Sequence, residues 1–447
     1  MPEKSKVSEN SSRKVYIRTF GCQMNEYDSE VMAALLQESG FELTQDINRA
    51  DFIVINTCYV REKVKHKVFS FLGELKKIKM QKPHVLLGVG GCLAQKEPHQ
   101  LIEKAPFVDI IWGTLNLDEL PELVKGAREK GFPIVKVKEK GFLPDDFSTI
   151  RKKRFSIYVP VIRGCNNFCS YCNVPYVRGR EKSRSMDSIL KEIEKAVAGG
   201  CKEVILLGQN VNSYGKDLPE KIDFATLLSE VNKLPGLCRI RFTTSHPKDL
   251  SGGLIVAMAK LKKVCEHLHL PLQAGSNRIL KLMRRGYRRE TYLELVDKLR
   301  EYVPDVSLTT DLIVGFPGET EADFQDTLNM VKRVRFDGAF TFIYSSLFGT
   351  RAAELENQIP TNVKKERLRQ LIQLQQKITQ EKNKSYLEKE LEVLVEGTSP
   401  KNPDELEGRT RHNKMVIFPG DTSLVGELVR VKIMQAGCWA LRGEPKS

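Results

Sequence analysis

No apolar run in this 447-residue chain approaches the ~18 residues that a bilayer-spanning helix needs. The first dozen residues, Met1 to Ser12, are polar and lack the apolar segment of a secretory signal, so the chain is expected to work in the cytoplasm. No low-complexity stretch interrupts it. These absences bear on the ten cysteines: in a reducing compartment they read as metal ligands or redox groups rather than disulfides. Apolar residues make up 41% and charged residues 29%, a core-forming composition that excludes wholesale disorder. The length is that of about three domains.

The net charge is +14, and nearly all of it lies in residues 151–390, which carry +13 against +1 before them and 0 after. The dense basic clusters are residues 151–154, 178–184 and 284–289. A solvated face is the ordinary reading of such runs. The other is a surface for the phosphates of a polyanion, with Arg178, Arg180 and Arg184 as candidate RNA contacts. Charge alone does not choose between them.

Residues 14–130 repeat one pattern three times. A strand at 14–20 leads to Gly21-Cys22 and a helical stretch at 29–38. A buried strand at 51–56 leads to Thr57-Cys58 and a long basic helix to about Lys79. A strand at 84–89 leads to Gly90-Gly91-Cys92 and a helix through Leu101. Such alternation predicts βαβ units and a parallel sheet. Right-handed crossovers put every strand's C-terminal end on one edge. Cys22, Cys58 and Cys92 are therefore expected on one rim, each just ahead of a helix N-terminus. Residues 1–13 are expected to form a disordered leader, and 131–150 a linker that turns polar and basic at its end.

A second alternation spans 151–383. Strand segments at 155–162, 203–211, 239–244, 267–273, 307–315 and 338–346 have helices between them, for example at 186–198 and 321–334. Six such repeats predict a partial or open (β/α)6 barrel, with function at the C-terminal ends of its strands. A basic, helix-like stretch follows at 362–389. The tail, 384–447, turns to short alternating runs with Gly- or Asp-containing turns, which predicts a small antiparallel β-barrel. The fold class is α/β.

Cys165-Asn166-Asn167-Phe168-Cys169-Ser170-Tyr171-Cys172 is C-x3-C-x2-C, directly after the first strand of the central barrel. Three thiolates in eight residues suit three irons of a cubic cluster. No fourth cysteine lies nearby, which leaves one iron open to an exogenous ligand. A structural zinc knuckle with a distant fourth ligand fits less well, because zinc sites pair their cysteines in C-x2–4-C units. Cys22, Cys58 and Cys92 lie 36 and 34 residues apart, and only topology joins them. A helix N-terminus at each is expected to lower the thiol pKa and favour the thiolate that ligates metal. The bland alternative is three buried cysteines behaving as small hydrophobes. Cys201, Cys238, Cys265 and Cys438 share no spacing with a partner and read as core packing.

With Tyr171 ahead of its last cysteine, this motif resembles the radical S-adenosylmethionine signature. The wider string RGCNNFCSYCNVPYVRGREKSR, from Arg163 to Arg184, resembles the methylthiotransferase family. So do TFGCQMNEYDSE at 19–30, NTC at 56–58, GC at 91–92, LGQNVNSYG at 207–215 and VGFPGET at 314–320. Gln23-Met24-Asn25 resembles the tRNA-modifying branch rather than the ribosomal-protein branch. The likeness runs from about Lys14 to the C-terminus. It departs at HLPLQAGSN (269–277), where Ala274 stands for a usual serine, and at YSSLFGTRA (344–352), where Leu347-Phe348 stand for an arginine-containing turn. No role is carried over to either stretch.

The resemblance implies an auxiliary 4Fe-4S cluster on Cys22, Cys58 and Cys92. It implies a second 4Fe-4S cluster on Cys165, Cys169 and Cys172, whose open iron chelates S-adenosylmethionine. The tail resembles a TRAM domain, an RNA-binding β-barrel. The implied substrate is N6-isopentenyladenosine next to the anticodon, in the tRNA anticodon stem-loop. The implied product carries a methylthio group at C2, with two S-adenosylmethionine molecules used. An electron donor such as flavodoxin or ferredoxin is implied, for a monomer with no membrane partner. The chemistry agrees with such parts: the C2–H of adenine is not acidic, acid–base catalysis would not be enough, and a radical-generating cofactor is required. A base in a folded loop must also splay out to be reached. Other readings stay open: a methylthiotransferase for threonylcarbamoyl-adenosine tRNA or for a ribosomal-protein aspartate, a non-catalytic iron–sulfur RNA-binding protein that senses redox state, and a zinc-binding RNA module.

Overall fold

The computed structural model describes residues 13–59, 62–130 and 133–446, so all but the last residue of the expected leader lies outside the described residues. The chain divides into two compact units. One takes residues up to Lys152 together with Asn173–Gly179; the other takes Lys153–Cys172 and the chain from Arg180 onward.

The first unit is built from β1 (Arg13–Thr19), α1 (Gln23–Glu38), β2 (Phe41–Leu43), β3 (Phe52–Thr57), α2 (Glu62–Gln81), β4 (Leu86–Gly91), α3 (Cys92–Lys96), α4 (Pro98–Lys104), β5 (Ile110–Trp112), α5 (Leu120–Lys130) and β6 (Ile134–Lys136). Its sheet is wholly parallel, in the order β2-β1-β3-β4-β5-β6. Every residue of β3 and β4 is buried. That is why FIVINT reads as a continuous apolar run rather than an alternating one. The sequence shows three of the six strands. β2, β5 and β6 have three residues each, too few for a period to emerge, and β6 lies in the stretch read as linker.

The second unit holds β7 (Ser156–Pro160) and β8 (Ile162–Arg163). The short α6 (Val174–Val177) that follows in the chain belongs to the first unit. Then come β9 (Lys182–Ser183), α7 (Met186–Ala198), β10 (Glu203–Leu207), α8 (Phe224–Lys233), β11 (Arg239–Thr243), α9 (Gly252–Lys260), β12 (His267–His269), α10 (Asn277–Leu282), α11 (Arg289–Tyr302), β13 (Ser307–Val314), α12 (Glu321–Val334), β14 (Gly338–Ile343) and α13 (Thr361–Lys384). Two parallel sheets, β7-β10-β11 and β12-β13-β14, are joined by an Ile240–Val264 bridge and by the Ser245 N–H donating to the His269 carbonyl at 3.3 Å. The six strands thus run side by side in chain order. Among the described residues β7 and β14 do not pair, so the barrel is open. α7 and α12 cover the expected spans, and Ser185 and Thr320 cap their N-termini. α13 ends five residues before the expected helix does.

The tail forms a closed five-stranded barrel of β15 (Glu390–Ser399), β16 (Asn402–Thr410), β17 (Met415–Pro419), β18 (Leu428–Ala436) and β19 (Leu441–Pro445), in the order β15-β16-β17-β19-β18. It is not wholly antiparallel: β17 and β19 run parallel. An odd number of strands cannot alternate direction around a closed ring, so one pair must share direction. Arg239, fully buried, donates to the carbonyls of Arg409 and Glu392 at 2.8 and 3.0 Å, and Arg241 donates to that of Arg411 at 3.0 Å. Both arginines open β11. The tail barrel therefore docks at the N-terminal ends of the central strands, away from the ends where function is expected.

Candidate functional site

In the first unit β1, β3 and β4 are neighbours, with Thr19 opposite Asn56 and Thr57 opposite Gly91. Cys58 and Cys92 each follow that last pair directly, and Cys22 lies just beyond β1. Adjacent strands are about 4.8 Å apart, so the three cysteines come out together on one rim. A hydrogen-bond network fixes the rim. Asn25 Nδ2 donates to Asn56 Oδ1 and to the Thr57 carbonyl, both at 3.1 Å. Asn56 Nδ2 donates to the Asn25 carbonyl at 2.8 Å, and Thr57 Oγ1 to the Gly90 carbonyl at 2.6 Å. Cys22 Sγ is 3.4 Å from Asn25 Oδ1. Gly91 has φ +93°, and a Cβ there would collide with Asn56 and Thr57; only glycine serves.

The helix relation holds in part. Cys22 caps α1 and Cys92 opens α3, but Cys58 stands four residues ahead of α2. At Cys92 the expected lowering of the thiol pKa does not follow. Burial pushes the Cys92 thiol up, and the nearby Arg178 guanidinium opposes this without overcoming it. α3 has only five residues, too few for a strong dipole. In the second unit burial likewise pushes Cys165 up to about 11. Ligation would itself remove these protons.

Two of the three expected RNA contacts are corrected. Arg178 is buried in the first unit, with Nη1 on Asp28 Oδ2 at 2.7 Å. Arg184 is buried in the second unit, where it donates to the Pro160 carbonyl at 3.0 Å, Glu192 at 2.6 Å and Ser188 Oγ at 2.7 Å. Both guanidiniums are buried inside the protein, out of reach of a phosphate. Arg180 is exposed, with its guanidinium 4.4 Å from the centre of the Phe168 ring.

In the second unit the antiparallel β8–β9 ribbon closes the base of the loop that carries Cys165, Cys169 and Cys172. Gly164, at φ +78°, donates its N–H to Gln209 Oε1 at 2.6 Å. Ser170 is tied by its Oγ to the Leu282 carbonyl at 2.8 Å, and its own carbonyl accepts from Ala352 at 2.8 Å. Asn167 Nδ2 donates to Cys165 Sγ at 3.5 Å. Arg285, one of the residues in the 284–289 basic run, is buried. It donates to Cys169 Sγ at 3.3 Å, the Pro271 carbonyl at 2.9 Å and the Tyr287 hydroxyl at 3.1 Å. Cys201 and Cys265 are core residues as expected, whereas Cys238 and Cys438 are only half-buried.

Just past the C-terminal ends of β10 and β11 lies a set of buried polar atoms without hydrogen-bond partners: Asn210 Oδ1, both amide atoms of Asn212, Ser245 Oγ and His246 Nε2. Burial, then Arg285, Lys248 and Lys216, push His246 down to about 2. Its ring is therefore neutral, and Nδ1 accepts from the Lys248 N–H at 3.2 Å, which assigns the proton to Nε2. Unsatisfied buried groups are costly, so their gathering at this end of the strands suits a polar ligand. Sequence reasoning did not single out these four residues, nor the burial of Arg178 and Arg285. Asn210 and Asn212 do lie inside the LGQNVNSYG stretch. Among the described residues no group of three His, Cys, Asp or Glu side chains could hold a single metal ion. A cubic cluster asks for something else: each thiolate binds its own iron, so the sulfurs stand farther apart than the ligands of one ion. The first unit offers three thiols beyond neighbouring strand ends and the second three in one loop, the donor type that such a cluster takes.

The parallel (β/α) core, with a three-cysteine loop leaving its first strand, defines a radical S-adenosylmethionine protein, and residues 159–331 match the Radical SAM superfamily. Residues 14–113 match Uncharacterized protein family UPF0004, and 384–446 match the TRAM domain. The tRNA-2-methylthio-N(6)-dimethylallyladenosine synthase of Moorella thermoacetica is 52% identical over 437 residues, covering 97% of this chain and 98% of the relative. That of Syntrophomonas wolfei is 53% identical over 438 residues, covering 98% of each. The chain belongs to this family. Among solved structures, the radical S-adenosylmethionine methyltransferase TsrM from Kitasatospora setae aligns with TM-score 0.55 over 77% of this chain and 76% of its own, at 15% identity, a likeness of fold. Membership of the superfamily implies a 4Fe-4S cluster and S-adenosylmethionine. No helix among the described residues is long and apolar enough to cross a membrane.

Proposed function

We propose that this chain installs a methylthio group at C2 of N6-isopentenyladenosine next to the anticodon of tRNA. It does so as a cytoplasmic monomer that uses two S-adenosylmethionine molecules and two 4Fe-4S clusters. Cys165, Cys169 and Cys172 hold the cluster that chelates S-adenosylmethionine; Cys22, Cys58 and Cys92 hold the auxiliary one. The observation that carries this reading is the second trio: three cysteines scattered over 70 residues of sequence meet at adjacent strand ends. Relatives over half identical in sequence carry the corresponding enzyme name.

Bound at the two trios, the clusters and S-adenosylmethionine supply the one-electron chemistry that an unactivated aromatic C–H bond requires. The chain's own residues orient and shield. Gln209 and Ser170 hold the cysteine loop in one conformation, so a cluster bound there would be held in place by its three cysteines. Arg285 places a fixed positive charge at Cys169 and limits the charge that this thiolate presents to its surroundings. Asn212, Ser245 and the neutral His246 offer donors and acceptors beyond β10 and β11, where a polar cofactor or an extruded base would satisfy them. A flavodoxin or ferredoxin supplies the electron.

Iron and sulfide quantitation on anaerobically reconstituted protein tests the reading. About eight irons per chain should fall to about four in the Cys165→Ala/Cys169→Ala/Cys172→Ala variant. Nucleoside mass spectrometry of tRNA from a strain lacking the protein should show N6-isopentenyladenosine without its methylthio group. Loss of a methylthio group from threonylcarbamoyl-adenosine, or from a ribosomal-protein aspartate instead, would move the activity to the other substrates. A colourless, zinc-loaded protein would end the proposal.

A further inference from the structure

Directly after Cys172 the chain enters the first unit, spends Asn173–Gly179 there, and leaves again. This excursion is anchored. Val177 joins the core that includes Cys92 and Leu93, its carbonyl accepts from Thr114 Oγ1, and Lys96 sits 4.9 Å from the centre of the Tyr176 ring. What the excursion delivers is Arg178. Its side chain is about 95% buried, Nη1 is held by Asp28 at 2.7 Å, and Nη2 has no hydrogen-bond partner of ordinary geometry. Its neighbour Val177 shares a core with Cys92, and the guanidinium interacts electrostatically with Cys92 and Cys22. Asp28 takes one end of the fork, which leaves the other buried without an acceptor in the unit that holds the cysteine rim. A buried N–H without an acceptor is costly, and cluster sulfur is an acceptor of the right charge.

We propose that Arg178, oriented by Asp28, is a positioning residue of the auxiliary site: its guanidinium fixes a positive charge against the Cys22/Cys58/Cys92 cluster and donates a hydrogen bond to its sulfur. The proposal rests on the reading of those three cysteines as ligands. Three thiolates outweigh the two positive charges of an oxidised cubane core, so the site is already anionic and reduction adds a further negative charge. Net charge and hydrogen bonds to sulfur set the potential of such clusters. A fixed cation favours the reduced form. Asp28 moderates that cation, so the two residues act with opposite sign.

The test uses the full-length Cys165→Ala/Cys169→Ala/Cys172→Ala chain, in which the remaining irons report the auxiliary site alone, with redox titration followed by electron paramagnetic resonance. Arg178→Gln should retain about four irons and disfavour the reduced form at least tenfold, a fall of about 59 mV for a one-electron couple. Arg178→Lys should recover part of that shift, and Asp28→Asn should shift the potential the other way. A packing role would not produce opposite signs. An unchanged potential in Arg178→Gln with iron retained overturns the proposal. If Arg178→Gln loses iron, retention in Arg178→Lys upholds the charge requirement, and equal loss in both overturns it. An iron-free parent variant overturns the auxiliary-cluster reading itself, and the proposal with it.

Discussion

At the scale of single residues, each unit sets a buried arginine beside a cysteine, Arg178 at Cys92 and Arg285 at Cys169. In sequence both belong to basic runs that look solvated, because a run of arginines shows charge but not which side chain turns inward. His246 is as informative. Burial among Arg285, Lys248 and Lys216 pushes its pKa down to about 2, far below the ordinary value of about 6.5. Its folded pKa is depressed, so its contribution to stability is complete above about pH 6.5. That contribution is lost as pH falls from there towards 2, by about 1.4 kcal/mol per pH unit. Asn at this position keeps an acceptor for the Lys248 N–H but cannot titrate. Between pH 7 and pH 5, wild type should therefore lose about 2 kcal/mol more than His246→Asn in parallel denaturant titrations. Curves that run parallel over this range would show that the imidazole is not held neutral. The cysteine rim was legible because three strand–cysteine–helix repeats obey one topological rule. Asn212 and Ser245 were not, since orphaned polar atoms exist only once the surrounding chain is in place.

At the scale of elements, α7 and α12 are read directly from their apolar period and caps, and the central strands within a few residues. What escapes is short or set by closure: the three-residue β2, β5 and β6, and the parallel β17–β19 pair that a ring of five strands forces. The docking of the tail barrel escapes for another reason. It depends on Arg239 and Arg241, which sit inside an otherwise ordinary strand and donate to backbone carbonyls some 170 residues away in the chain. Arg241 also pairs with Glu203 at 2.7 Å, both side chains nearly inaccessible. Removing one partner of such a pair leaves a buried charge alone. Arg241→Met should cost about 3–5 kcal/mol and expose the stretch between α13 and β15 to limited proteolysis. Adding Glu203→Gln should recover part of the stability but not the docking, because the bonds to Thr410 and Arg411 stay lost. Equal stability of both variants would show that the unpaired carboxylate does not account for the loss.

At the scale of the whole molecule, the surplus charge belongs to residues 151–390, while the tail barrel is neutral. Affinity for RNA phosphates should therefore come from the central region, with the barrel contributing shape and individual contacts. The structure sorts the three basic runs. Arg151 and Lys152 pair with Glu30 and Glu26, Lys153 lies 3.6 Å from Glu396, and Arg178, Arg184 and Arg285 are buried. Arg289 is held by Asp326 at 2.8 Å and Glu290 at 3.1 Å. Arg154, Arg180 and Arg284 are exposed and suited to phosphate. Each phosphate neutralised by such a residue releases counterions, so log affinity falls linearly with log salt. Binding of the tRNA anticodon stem-loop should weaken steeply with salt. Arg180→Ala and Arg284→Ala should each make the slope shallower by about 1, and Arg289→Ala should leave it unchanged. Arg180 lies over the Phe168 ring of the cysteine loop, so iron content, expected to stay at its full value, is the check on folding and on that loop. A slope that Arg180 and Arg284 do not move would place the phosphates elsewhere, and a flat salt response would remove the electrostatic account of RNA binding altogether.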